Sequence, residues 1–204
     1  MKVLSFECVV EGHGEVSALP ILVKRSVRAY RSACRAEVGR PIRKKRRSLL
    51  KADELERSVE QAAIYTKRRG AVLVLLDSAD DRACELAPKL LARARGASAG
   101  CPVSVVLACK EYEAWFLASI ESLRSVGGLA ADLEAVIDPE EIRGAKEWLS
   151  KRMPRHQPYR ETLHQAEFSG KFNLDLARSR SASFDKLCRE IEGLCDALTG
   201  AEPV

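Results

Sequence analysis

No apolar run in these 204 residues approaches the roughly 20 that a membrane-spanning helix needs. The start lacks the basic, apolar, then small-residue progression of an export signal, so the expected location is cytoplasmic, with no membrane partner. The seven cysteines include no CxxC pair and no Cys/His ligand spacing, which argues against a structural zinc site and against a disulfide framework. They are expected to pack as reduced, small apolar residues. Histidine is scarce: His13, His156 and His164 stand alone, and a lone histidine reads first as a solvated side chain, not as a ligand or base. No internal repeat and no flexible linker is evident, which leaves one generous domain or a domain with a helical appendage. With 46% hydrophobic and 31% charged residues, the chain groups with globular rather than disordered proteins.

What is present begins with an uneven distribution of charge. The net +5 says little, but Arg43, Lys44, Lys45, Arg46 and Arg47 run together, with Arg40 before them and Lys51 after. A second basic group includes Lys151, Arg152, Arg155 and Arg160. Such runs attract polyanions, nucleic acid above all, or simply form solvated loops.

Three apolar runs read as buried strands: residues 2–10, 71–76 and 103–108, with a short fourth near 36–38. Helical spacing predicts helices over 15–31, 51–69 and 82–95. In the first, Pro20 suits an early turn, so the regular helix is expected from about Leu19. The stretch 35–50 reads as irregular and basic. Strand, helix and strand alternate with short connections, which predicts an α/β fold with a mostly parallel sheet flanked by helices. After residue 113 the pattern turns helical: 114–123, then 139–151 launched by Asp138 as N-cap with Pro139 and Glu141 behind it, then 162–168, 173–178 and 183–198. The expected organisation is a core over 1–125 and a helical extension over 126–204 packed on it as one structural unit.

Each of the three main strands ends in acid. Glu11-Gly12-His13-Gly14-Glu15 follows the first, Asp77-Ser78-Ala79-Asp80-Asp81 the second, and Cys109-Lys110-Glu111-Tyr112-Glu113 the third. In an open parallel sheet the carboxyl ends of the strands share one edge, where ligands bind. Five or more carboxylates gathered there need positive charge among them. A hard divalent cation, Mg²⁺ or Mn²⁺, is the natural candidate, with Glu11, Glu15, Asp77, Asp80, Glu111 and Glu113 as candidate ligands. Glu15, Asp80 and Asp81 serve equally well as partners of helix N-termini. Glu111 and Glu113 share a side only if the chain is still extended there. Trp115 and Phe116 are expected to bury against the sheet.

These acid clusters resemble the Toprim fold family of topoisomerases, bacterial primases and OLD-type nucleases. More narrowly, the chain is similar to the Toprim-like family known as domain of unknown function 4276. The similarity is carried by Lys110-Glu111-Tyr112-Glu113-Ala114-Trp115-Phe116-Leu117-Ala118, by Arg143 to Leu149 and by Asp175 to Phe184, and it spans about residues 3 to 190. The resemblance implies a Rossmann-like parallel sheet whose glutamate, here Glu11, and Asp-x-Asp strand end bind Mg²⁺. The second aspartate of that motif falls on Ala79, with Asp80 one residue out of phase. It also implies an AAA-type ATPase partner.

The resulting expectation is Mg²⁺-dependent phosphodiester cleavage on DNA or RNA. Glu11 and Lys110 would be catalytic, Arg143 or Lys146 would help stabilise the phosphate, and Arg43, Lys44, Lys45, Arg46 and Arg47 would hold the nucleic acid. Two alternatives stand beside it: a non-catalytic adaptor of an ATPase with a degraded metal site, and a phosphate-ester enzyme with a small substrate.

Overall fold

A computed structural model of the chain describes residues 1–200; the last four positions of the expected 126–204 extension lie outside the described residues. The chain order is β1 (Lys2–Val10), α1 (Glu15–Tyr30), β2 (Cys34–Val38), β3 (Ile42–Arg43), α2 (Arg46–Leu50), α3 (Glu54–Tyr65), β4 (Ala71–Asp77), α4 (Ala83–Ala97) and β5 (Val103–Ala108). All strand pairs are parallel, in the order β2-β1-β4-β5. β3 pairs with Val9 and Val10 of β1, on the edge that β2 has left by Phe6. The α/β architecture with a parallel sheet is therefore as the alternation predicts.

Side-chain alternation sends each strand into two cores. Leu4, Phe6, Cys8, Val10, Leu73, Leu75, Val106 and Ala108 join one apolar cluster, and Val9, Val72, Val74, Leu76, Val105 and Leu107 join the other. α1 covers the first face through Leu19, Leu22, Val23 and Val27, while α3 and α4 cover the second. The connection leaving β1 thus runs over one face and those around β4 over the other. The carboxyl ends of β1 and β4 are the topological switch point, where an open α/β sheet leaves a crevice.

The helices after β5 are α5 (Ala114–Leu117), α6 (Ala145–Ser150), α7 (Ala166–Lys171), α8 (Leu174–Arg180) and α9 (Ala182–Thr199), and no strand follows β5 among the described residues. Phe168, Phe172, Phe184, Leu187 and Cys188 pack into the same cluster as β1 and α1.

Three sequence expectations need correction. α1 is helical from Glu15, with Pro20 inside it. A proline there costs about 3 kcal/mol, but burying Leu19, Leu22, Val23 and Val27 completely returns roughly 1.5–3 kcal/mol each. The stretch 35–50 is not irregular: it holds β2, β3 and α2. The expected helix 139–151 is split into a 3₁₀ turn, Pro139–Glu141, and α6, because Ile142 is extended and Gly144 left-handed at φ 71°. The cause is tertiary. Glu140 Oε1 accepts hydrogen bonds from Ser181 Oγ (2.6 Å), Ser183 N (2.8 Å) and Ser183 Oγ (2.5 Å), which pins the turn to the start of α9.

One acid of β1 lies outside any site. Glu7 is buried, its Oε2 has no partner, and Gly39 packs so closely that a Cβ there would stand 2.0 Å from Glu7 Oε1. Burial raises the Glu7 pKa above 4.5. A carboxyl raised in the fold is fully tolerated below its unfolded pKa and loses stability as pH rises through the folded value. Glu7→Gln is therefore expected to stabilise at pH 8 by on the order of 1 kcal/mol, the scale of one buried polar group. Melting curves at pH 8 and pH 4 check it; an equal shift at both would sink the charge argument.

Candidate functional site at the carboxyl edge of the sheet

The loop after β1 is closed by its own acid. Glu15, the first residue of α1, is buried, and its Oε2 accepts the backbone N–H groups of Glu11 and Gly12, both at 3.1 Å. Gly14 is required by close approach: a Cβ there would lie 2.2 Å from Gln165 Oε1 and 2.7 Å from the Glu161 carbonyl oxygen. Those two residues bound a π turn, Glu161–Gln165, a form that recurs at functional sites.

The loops after β4 and β5 are tied to each other. Asp77 Oδ1 accepts the Tyr112 N–H (2.8 Å), Ser78 Oγ accepts the Lys110 N–H (2.8 Å), and Ala79 N–H donates to the Lys110 carbonyl (3.1 Å). Ala79 and Lys110 are both left-handed, at φ 51° and 58°. Arg46 lies across this junction, donating to the carbonyls of Asp77 (3.2 Å) and Ser78 (3.1 Å) and to Asp81 Oδ2 (2.5 Å).

Behind the edge, Glu113 is wholly buried. Its Oε1 accepts Tyr159 O–H (2.9 Å) and Gln165 Nε2 (3.2 Å), and Lys146 Nζ stands 3.7 Å from its Oε2. The same ammonium is 3.5 Å from Glu161 Oε2, and Glu111 Oε2 accepts the Lys146 backbone N–H (3.2 Å).

A cavity of about 330 Å³ opens at this edge. Four acids, Glu11, Asp77, Asp80 and Glu111, line it with four cations, Arg46, Lys110, Arg143 and Lys146. The acids are crowded. Burial, then Glu113 and Glu11, push the Glu15 carboxyl up to about 7 against the pull of its two N–H donors. Burial likewise pushes Glu113 up to about 7, although Lys146 and the Tyr159 hydroxyl pull it back. Asp77 is raised well above the usual carboxylate range by burial and by Glu15 and Glu113. Glu11 is raised by burial, with Arg46 opposing. Burial alone would lower the Lys146 pKa, but Glu113, Asp77, Glu161 and Glu111 together raise it, so this lysine stays charged.

A divalent cation suits the chemistry of these donors more than their spacing. Glu11 Oε2 and Glu113 Oε2 are buried without a hydrogen-bond partner, and carboxylate oxygens suit Mg²⁺ or Mn²⁺. Among the described residues, however, no three His, Cys, Asp or Glu side chains are gathered to hold an ion. Mg²⁺ commonly keeps several waters and is held by one or two carboxylates plus substrate phosphates, not by a protein cage. Glu11 and Asp77 fit that open form.

The remaining sequence candidates separate. Asp80 is exposed and paired with Arg143 (2.6 Å) at the cavity mouth. Lys110 Nζ donates to the Glu140 carbonyl (2.7 Å) and to Glu141 (3.1 Å). Of the basic run, Arg46 enters the cavity, Arg43 Nη1 reaches the Glu11 carbonyl (3.5 Å), Lys44 pairs with Glu54 (2.5 Å), and Lys45 and Arg47 are exposed. His13 is exposed and does not line this cavity, and Trp115 and Phe116 are buried. Sequence reasoning missed Tyr159, Glu161 and Gln165. They follow an irregular stretch and sit on or beside a π turn, which no helical periodicity reveals.

Residues 10–192 match a family model described as Domain of unknown function (DUF4276). No curated protein and no solved structure matches the chain.

Proposed function

The chain belongs to the family described as Domain of unknown function (DUF4276), and on that premise we propose that it is a Mg²⁺- or Mn²⁺-dependent, Toprim-like protein that cleaves phosphodiester bonds in DNA or RNA. The observation that carries this reading is the cavity at the β1/β4 switch point, where crowded carboxylates, among them Glu11 with an unpartnered buried oxygen, face a set of cations. Glu11 and Asp77 would hold the ion, whose chemistry when bound is to polarise a phosphate oxygen and to lower the pKa of water. Glu15 is committed to the loop N–H groups, Glu113 lies behind Lys146, and Asp80 faces Arg143, so these three are second choices as ligands.

The chain's own cations do the rest. Lys110 and Arg143, each now on an acid at the cavity rim, would release Glu141 and Asp80 to take phosphate oxygens. Arg46, fixed by the carbonyls of Asp77 and Ser78, would orient the substrate phosphate against the strand ends. Charged Lys146 offsets the buried acids, and Glu15 and Glu113 set the potential of the cavity without lining it. The partner is proposed to be an AAA-type ATPase, on family resemblance alone, and the location cytoplasmic.

One observation favours a second reading, a non-catalytic adaptor of that ATPase: Lys146, not an open space, stands between Glu113 and Glu161. A Mg²⁺ and Mn²⁺ titration of the protein and of Glu11→Ala separates the two. Thermal melting should show stabilisation of about 3 kcal/mol at a hundredfold excess over Kd, with cleavage of labelled single- or double-stranded DNA or RNA. Both should be lost in the variant. No metal response and no cutting would favour the adaptor.

A further inference from the structure

A second cavity, about 510 Å³, lies next along the carboxyl edge of the sheet, on the β3 side of β1. Its polar walls are His13, Ser17, Arg40, Arg43 and Thr162. Unlike its neighbour, it has no carboxylate in its lining. Every one of these five side chains can donate a hydrogen bond, and two are permanently charged. Arg40 and His13 are exposed and make no ion pair or side-chain hydrogen bond among the described residues, whereas Lys44 and Arg46 are already engaged. Ser17 lies in the first turn of the sixteen-residue α1, whose N-terminal end adds partial positive charge.

These features make an anion site, and its position says which kind of anion. Arg43 borders the cleft and also reaches the Glu11 carbonyl, so it joins the two cavities. β3 and β4 flank β1 on opposite sides, at about 5 Å each. The cleft lies on the β3 side of β1 and the Asp77 strand end on the β4 side, strands about 10 Å apart, so linked phosphates can occupy both places and a single phosphate cannot.

We propose that this cleft binds the phosphodiester backbone flanking the cleaved bond, so that the substrate is a polynucleotide strand and not a small phosphate ester. This rests on the phosphodiester-cleaving reading of the neighbouring cavity. The basic run then has a divided use: Arg46 serves the cut, and Arg40 and Arg43 serve the strand leading from it.

The test measures binding of a labelled single-stranded oligonucleotide by fluorescence anisotropy across a salt series. It compares the protein with Arg40→Glu and with Lys89→Glu, an exposed charge reversal on α4 in the opposite layer. Arg40→Glu should weaken binding several-fold and reduce the salt slope by about 0.7, the single-strand value for one phosphate contact. Lys89→Glu should bind like the parent. Failure of the parent to bind, or an equal effect of the two reversals, overturns the cleft. Strand binding that depends on Arg40 without any Mg²⁺- or Mn²⁺-dependent cutting overturns the hydrolytic reading and keeps the cleft as a strand-binding site. Cutting with unchanged binding in Arg40→Glu does the reverse.

Discussion

Lys146→Met is expected to destabilise the protein by about 2 kcal/mol at pH 8 and by much less at pH 5.5. Breaking a fully buried ion pair costs roughly 3–5 kcal/mol. The figure here is lower because the Lys146 side chain is 37% exposed and stands 3.7 Å from Glu113. The pH dependence follows from the acids left behind. Glu15 and Glu113 are pushed up to about 7 in the fold from an ordinary 4.5. Carboxyls raised in this way leave stability intact below about 4.5 and remove it as pH rises through the folded value. Without Lys146, the two buried acids that it pulls down, Glu113 and Asp77, are held protonated to higher pH, so the loss above pH 7 is larger. His164, buried with a lowered pKa, works in the opposite direction below its ordinary 6.5, but it does so in both proteins and cancels in the difference. Melting temperatures of the two proteins from pH 5 to 8.5 check the expectation. Parallel profiles would mean that Lys146 does not offset the acid cluster. On the proposed metal-binding reading, millimolar Mg²⁺ should narrow the gap at pH 8, a cation among the oxygens standing in for the missing charge.

Gly14→Ala is expected to cost about 3 kcal/mol, at the upper end for an added buried methyl. The new Cβ would meet Gln165 Oε1 at 2.2 Å and, more seriously, the Glu161 carbonyl oxygen and carbon at 2.7 and 2.9 Å. A side-chain amide can swing away, although this one also holds Glu113. The backbone of the π turn cannot move without carrying Glu161 and Gln165 with it. Gly12→Ala should be milder, since the atoms its Cβ would meet first belong to the Glu15 side chain, the nearest at 3.0 Å, and not to the backbone. Gly96→Ala, inside α4 with nothing within 4 Å, should stabilise by roughly 0.5–1 kcal/mol through helix propensity. At about 2–4 °C per kcal/mol for a chain of this size, the three melting temperatures should rank Gly96→Ala above Gly12→Ala above Gly14→Ala. Equal melting temperatures for the Gly12 and Gly14 variants would refute the packing of the π turn against the loop.

The strands were legible in sequence because a parallel sheet buried on both faces demands continuous apolar runs, and 71–76 and 103–108 are such runs. Their acidic ends were legible for the same reason: Asp77 is where the burial stops. Periodicity failed where distant contacts decide the backbone. Asp138, Pro139 and Glu141 have the residue types of a helix start, yet Glu140 is held by Ser181 and Ser183, some forty positions away. Arg46 reads as one of five equivalent cations, and only the α2 turn aims it at the carbonyls of Asp77 and Ser78. Glu111 and Glu113 were indistinguishable by spacing. They differ because one bonds the Lys146 backbone at the cavity and the other is sealed behind it.

One apolar cluster joins Leu4, Phe6 and Cys8 of β1 to Phe184, Leu187, Ile191 and Cys195 of α9, and Arg31 of the α1 end pairs with Glu192 and Asp196. That arrangement sets a timetable on the ribosome. The face of the sheet that α9 helps to cover, over β5 and beside α1, is made before it, and α9 is translated after every other element described. At ordinary synthesis rates the nascent sheet therefore waits on the order of ten seconds or more with part of one face uncovered. During that interval its safety depends on α1 and on whatever holds unfinished chains apart, and the final closure is a long-range, slow event.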